Sequence, residues 1–263
     1  MIIEGTTALI GMIGDPIAKA RTPGLLNPRI AASGRDLAIV PFHIPVGLAE
    51  ATLPALLNLE NLQGLIITYP FKETCLAFAD RLSTAARLVG GVNAMRRESD
   101  GGWAGEIFDG IGLLNAVKKK RDPKGADVLL IGAGGAGRAI AVSFAEAGAR
   151  AITIVDSDLE RAGALAQSLS AAFPGQSFLP GQSDQNPADI IINASPIGMN
   201  AGDGLPCQIG KISADMLVVD IVPVDEPTAL LRLAADAGAT VVAGRAMTEG
   251  QADAMLNFFG VLN

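Results

Sequence analysis

Histidine, cysteine and long apolar runs are scarce in this 263-residue chain. His43 is the only histidine, so a His-rich metal site is excluded, as is any Ser-His-Asp triad built without it. No metal is expected. His43 itself lies in an apolar, strand-like stretch and reads as structural. Cys75 and Cys207 are isolated and form no C-x-x-C pair. That argues against a disulfide framework and fits a reducing compartment, so a cytoplasmic location is expected. No run of about 18 uncharged apolar residues is present, so no transmembrane helix is expected. The N-terminus carries Glu4 and lacks the basic segment of a secretory signal. Positive charge is also in deficit. The net charge of −7 disfavours nucleic-acid and anionic-membrane partners. The one basic run, Lys118 to Arg121, reads as the solvated end of a helix. There is no internal repeat or low-complexity tract.

What is present is apolar residue in quantity, 49% of the chain, and glycine in clusters. The most informative stretch is Val128 to Asp156. Val128 to Ile131 is a short apolar run entering Gly132-Ala133-Gly134-Gly135-Ala136-Gly137, which reads as a buried strand and a tight turn. Arg138 to Ala147 is helical in composition, and Gly148 is placed to end the helix. Ala151 to Val155 is a second strand with Asp156 at its end. In such a unit the glycines permit a sharp turn, close approach to a pyrophosphate and tight helix packing. The helix N-terminus offers free N–H groups to phosphates. An acid after the second strand accepts hydrogen bonds from an adenosine ribose. Together these features point to dinucleotide binding.

The remainder alternates strand and helix, which implies an α/β fold with largely parallel sheet. Strands are expected at Thr7–Ile13, Ala38–His43, Gly64–Thr68, Ala94–Arg97, Trp103–Glu106, Ala188–Asn193, Met216–Ile221 and Thr240–Ala243. Helices are expected at Pro23–Ser33, Val46–Leu57, Glu73–Leu82, Ile111–Lys120, Leu159–Ala172, Pro227–Ala237 and Met247–Phe259. Ala85–Val89 continues a helical pattern. On residue pattern alone Lys72 reads as an ordinary loop lysine, and Asp109 as a helix cap.

Pro70-Phe71-Lys72-Glu73 follows a strand, with Gly91-Val92-Asn93 and then Asp109-Gly110 downstream. With Gly14–Pro23, the glycine turn, Asn193–Met199, Asp220 and Gly244–Gln251, these motifs run through nearly the whole chain in order. In that combination the sequence resembles the shikimate/quinate dehydrogenase family. The resemblance implies two domains: a substrate-binding α/β domain of residues 1–108 and 244–263, and a Rossmann NAD(P)-binding domain of residues 109–243. It implies an active site in the cleft between them. The family's catalytic pair falls on Lys72 and Asp109. Which of the two accepts the alcohol proton is left open by the sequence. Substrate contacts fall on Thr22, Thr68, Asn93 and Gln251, and cofactor contacts on Gly132, Gly134, Gly135, Ala136, Gly137, Asp156, Ser195 and Met247.

The chain also departs from the family. Ala20 and Thr22 stand where two serines usually hold the substrate carboxylate, Ile66 where an asparagine is usual, Ile107-Phe108 where Asn-Thr is usual, and Pro223 where a tyrosine is usual. The end of the second nucleotide strand reads Asp156-Ser157-Asp158, without the arginine that faces a 2′-phosphate in NADP-using members. The expectation is reversible hydride transfer between a nicotinamide and a ring hydroxyl of a shikimate-like cyclic hydroxy acid. NAD is expected as the preferred cofactor, with NADP also admitted. Partners are expected to be small molecules, for a monomer or homodimer. Rivals are a sensor that binds dinucleotide with little turnover, and a folate-type two-domain enzyme, which the Pro-Phe-Lys-Glu turn and Gln251 disfavour.

Overall fold

A computed structural model describes residues 2–18, 20–181, 188–200 and 202–262. The chain divides into two compact units, residues 1–108 with 252–263, and residues 109–251.

The first unit contains β1 (Ala8–Gly14), α1 (Thr22–Ser33), β2 (Leu37–His43), α2 (Ala49–Leu57), β3 (Leu62–Ile67), β4 (Arg81–Leu82), α3 (Thr84–Val89), β5 (Ala94–Arg97) and β6 (Trp103–Glu106). Its sheet runs β2-β1-β3-β5-β6-β4. β1 pairs in parallel with β2 and β3, whereas β5 is antiparallel to both β3 and β6. The apolar runs of β1 and β3 are buried because the central strands carry packing on both faces, with Ile10, Ile13, Leu65 and Ile67 fully enclosed. Ser83 starts α3 by accepting the N–H of Ala86 at 3.0 Å.

The second unit contains α4 (Asp109–Lys118), β7 (Asp127–Ile131), α5 (Gly135–Glu146), β8 (Ala151–Val155), α6 (Leu159–Ala172), β9 (Ser177–Pro180), β10 (Ile190–Asn193), β11 (Leu217–Asp220), α7 (Ala229–Asp236), β12 (Thr240–Ala243) and the first half of α8 (Arg245–Phe258). Its sheet is parallel throughout, in the order β12-β11-β10-β7-β8-β9. Winding direction reverses between β7 and β10, the position at which such sheets bind ligands at their carboxyl ends. Under the sheet, Leu129, Ile131, Ile191, Val218 and Leu230 form one apolar cluster. Among the described residues no helix is long and apolar enough to cross a membrane.

Three elements differ from expectation. Glu73–Leu82 is not one helix: Thr74–Phe78 is a short 3-10 turn, and Arg81–Leu82 is strand β4. Asp80 exchanges hydrogen bonds with Trp103, its N–H donating to Trp103 O at 2.8 Å and its carboxylate accepting Trp103 N–H at 2.7 Å, which draws the segment onto the sheet edge. β9 has no counterpart in the sequence reading. Residues 244–251, expected with the substrate domain, group with the second unit, where Gly250 backs directly onto Gly112 of α4.

Candidate active site

In the second unit the chain leaves β7 through Gly132, whose φ of +102° suits glycine. A Cβ there would come within 2.8 Å of Ala194 C and Ser195 N. A Cβ on Gly137 would collide with the Gly132 carbonyl oxygen, so α5 is drawn tightly against the turn. Gly134 and Gly135 are different. Nothing lies within 4 Å of a Cβ built on either, and Gly134 has ordinary backbone angles, φ −71° and ψ −172°. Neither packing nor conformation demands glycine there. The turn therefore presents bare backbone at the N-terminus of a 12-residue helix, with Ala136 in its first turn. That arrangement suits a pyrophosphate.

Asp156 follows β8, and its side chain is only 8% exposed. One carboxylate oxygen accepts the N–H of Ala133 at 2.6 Å, and the other accepts the N–H of Asp158 at 2.9 Å. Arg161 approaches it to 3.3 Å. Burial pushes the carboxyl up, but the two N–H groups and Arg161 outweigh it and hold the group below its usual range. Asp156 thus also fastens the glycine turn to the end of β8, a role the sequence reading did not foresee. Asp158 caps α6 by accepting the N–H of Arg161 at 3.1 Å.

Ser195 sits beside the same turn. Its hydroxyl and N–H both donate to Asn193 Oδ1, at 2.7 and 3.0 Å. Asn193 is fully buried and donates in turn to Ile197 O and to Asp220 Oδ1, each at 3.0 Å. The sequence reading matched Asn193 and Asp220 to the family without giving either a role.

Asp109 opens α4 and is 5% exposed. Gly110 brings α4 against Ala139 O and Ser143 of α5, and Gly112 brings it against Met247 O and the Gln251 backbone of α8. Asp109 is therefore one turn from the stretch carrying Met247 and Gln251. Gln251 is 9% exposed, and its side-chain oxygen accepts no hydrogen bond among the described residues. An unpaired buried acceptor costs about 1–3 kcal/mol, which a donor on a ligand would recover.

In the first unit, Thr68, Lys72 and Asn93 gather at the carboxyl end of β3. The N–H of Thr68 donates to Ile13 O, and Thr68 O accepts the N–H of Phe71, both at 3.0 Å. The half-buried Lys72 offers its carbonyl to the N–H of Val92 at 2.9 Å, and Gly91 abuts its backbone. Asn93 is 2% exposed and accepts the N–H of Phe108 at 2.9 Å. Thr22 begins α1, half-buried, and no described hydrogen bond joins it to these three. His43 is not an apolar-core residue. Its side chain is 55% exposed, with Nε2 at 2.8 Å from Asp15 Oδ1. That contact and the N–H of Val46 hold the Asp15 carboxyl below its usual range.

A family model described as the shikimate dehydrogenase substrate binding domain matches residues 12–95, and one described as shikimate / quinate 5-dehydrogenase matches residues 115–198. A shikimate dehydrogenase (NADP(+)) of Rubrobacter xylanophilus is 35% identical over 254 residues, covering 93% of this chain and 88% of that protein. The chain belongs to the shikimate dehydrogenase family. It is accordingly an oxidoreductase acting on a CH–OH group. The solved shikimate 5-dehydrogenase of Listeria monocytogenes, in complex with shikimate and NAD, is 26% identical. It superposes with a TM-score of 0.90 over 100% of this chain and 95% of that one. The 5-ketofructose reductase of Gluconobacter sp. strain CHM43 is 28% identical, with a TM-score of 0.86 over 96% and 92%.

Within this family member three of the apolar departures are buried, whereas Ala20 is half-buried and Pro223 exposed. Ile66 is 2% exposed, Ile107 3% and Phe108 5%. The Phe108 ring stands edge-on to Phe258 at 5.5 Å, inside the first unit.

Proposed function

We propose that this dehydrogenase transfers hydride reversibly between NAD(P) and a ring hydroxyl of a cyclic hydroxy acid related to shikimate or quinate, with NAD preferred. The observation that carries the reading is the bare backbone at Gly134 and Gly135 beside a tightly held Asp156. In this reading the Gly132–Gly137 turn holds the pyrophosphate, Asp156 the adenosine ribose, and Ser195 and Met247 the nicotinamide end. The second unit is then the cofactor domain and the first the substrate domain. The bound nicotinamide supplies the hydride acceptor and donor. Lys72 Nζ and the Asp109 carboxylate hold the reacting hydroxyl and carry its proton as a unit. Thr22, Thr68, Asn93 and Gln251 orient the rest of the substrate, with the unpaired Gln251 oxygen accepting from a substrate hydroxyl.

The cofactor preference follows from charge. A carboxylate at the end of β8 favours the free ribose hydroxyls and repels a 2′-phosphate. Arg161 beside it softens that repulsion without replacing the missing arginine of the Asp156-Ser157-Asp158 stretch. The substrate departures at Ala20, Ile66 and Ile107 support a less hydroxylated acid than shikimate. The test is a panel of cyclic hydroxy acids and simpler alcohols with NAD and with NADP, following absorbance of the reduced cofactor. Turnover restricted to acyclic alcohols would overturn the substrate class.

A further inference from the structure

Among the described residues, Asp220 is the one buried carboxylate at the second unit's sheet ends that the proposed reaction does not use. It closes β11 and is 1% exposed. Three groups donate to it. Asn193 Nδ2 and the N–H of Val222 reach Oδ1 at 3.0 and 3.1 Å, and the hydroxyl of Thr228 reaches Oδ2 at 2.7 Å. All three donors are neutral. The Thr228 oxygen also accepts the N–H of Leu231 at 3.3 Å, so its hydroxyl proton is committed to Asp220. Burial pushes the Asp220 carboxyl up, against the pull of these three bonds. No ion pair reaches it among the described residues. A buried carboxylate without a cation carries a desolvation cost that neutral donors meet only in part, so a positive charge on a ligand would recover some of it.

The position is specific. Asp220 is level with Asn193 of β10 and Ala243 of β12 across the parallel ladder. Asn193 is level with Ile131, where the glycine turn begins. The Ser195–Gly198 turn lies on this network: Asn193 binds both ends of it, and a Cβ at Gly198 would stand 3.1 Å from Thr228 Cγ2 and 3.8 Å from Asp220 Oδ2. A dinucleotide at this switch point places its adenosine half toward β8, where Asp156 lies, and its other half toward β10 and β11. The oxidised nicotinamide carries a positive charge that the reduced ring lacks.

We propose that the Asp220 carboxylate biases the bound dinucleotide toward its oxidised form through space, while its hydrogen bonds hold the Ser195–Gly198 turn in place. This rests on the dinucleotide reading above. It makes Asp220 a positioning residue with an electrostatic effect on the cofactor's redox state, not a group that touches substrate. One uncompensated charge roughly 10–25 Å away changes an equilibrium constant by roughly three- to twentyfold at an effective dielectric of about 20.

The experiment measures dissociation constants of the purified protein for NAD⁺, NADH, NADP⁺ and NADPH, by calorimetry for the oxidised and fluorescence for the reduced forms. Asp220→Asn preserves shape and removes the charge. Asp220→Ser is a second neutral variant should the first fail to fold. Thr228→Val removes one hydrogen bond and keeps the charge. The oxidised-to-reduced affinity ratio is expected to fall roughly three- to twentyfold in the neutral Asp220 variants. In Thr228→Val both forms should weaken by the same factor. An unchanged ratio in a folded neutral variant would overturn the charge effect and leave Asp220 structural. Wild-type protein that binds none of the four dinucleotides would contradict the cofactor reading itself, and this inference with it.

Discussion

Gly134→Ala and Gly137→Ala should separate binding from stability, though they lie three residues apart in one motif. At Gly137 the new methyl meets the Gly132 carbonyl oxygen, a backbone atom that cannot swing aside. Overpacking of that kind costs about 1–3 kcal/mol, or about 2–12 °C in Tm for a chain of this size. At Gly134 the methyl meets nothing within 4 Å, and the backbone angles are ones alanine adopts. The loss of a glycine helix cap and the reduced freedom of the unfolded chain nearly offset, so stability should stay within about 1 kcal/mol of wild type. The methyl does occupy the face where a pyrophosphate would meet backbone N–H groups. Loss of one charge-assisted hydrogen bond, about 1.5–3 kcal/mol, predicts roughly tenfold to hundredfold weaker NAD(H) binding. The assay pairs thermal denaturation with titration of NADH fluorescence. Gly134→Ala protein that binds NADH as wild type does would refute the pyrophosphate assignment. A large Tm loss in Gly134→Ala would refute the packing argument.

Lys72→Ala and Asp109→Ala should each lower turnover by roughly 10²–10⁴ with NADH affinity retained, and the double variant should be little worse than either, as steady-state kinetics would show. NAD should exceed NADP in kcat/KM by roughly tenfold to a hundredfold, and Asp156→Asn should narrow that ratio; comparable efficiencies in wild type would remove the basis for it. Asp156 also bears on acid stability. Its carboxyl is depressed in the folded state, so its contribution is present above the ordinary carboxylate range, about pH 4, and is lost as pH falls through the folded value. The stability gap between wild type and Asp156→Asn should therefore be constant at neutral pH and close only below about pH 4 in urea titrations. Shikimate and quinate should be poorer substrates than a less hydroxylated ring acid, and a shikimate kcat/KM at or above about 10⁵ M⁻¹s⁻¹ would contradict that reading of Ala20 and Ile66.

The glycine turn was legible because its requirements are local. A strand, a left-handed glycine, a helix start and an acid after the next strand all lie within 29 residues of sequence, Val128 to Asp156. Strand β4 was not legible, because Arg81–Leu82 becomes strand only by pairing with β6, 23 residues on, and locally its apolar spacing fits a helix. β9 is likewise defined by its neighbour, pairing along β8 at the sheet edge. The double duty of Asp156 was hidden because the sequence names its type and place but not the Ala133 N–H that it binds. The Asn193–Asp220–Thr228 network joins residues up to 35 positions apart and appears only once β10 and β11 are side by side. The ring partner of Phe108 was not legible either, because Phe258 lies 150 positions away.

The most direct test of the whole account is reduced-cofactor formation by wild type and Lys72→Ala, with NAD, across cyclic hydroxy acids of graded hydroxylation. The account predicts turnover by wild type on at least one ring acid, and its loss by roughly 10²–10⁴ in Lys72→Ala without loss of NADH binding. Wild-type protein that binds NADH yet oxidises none of these acids would contradict it and favour a dinucleotide sensor.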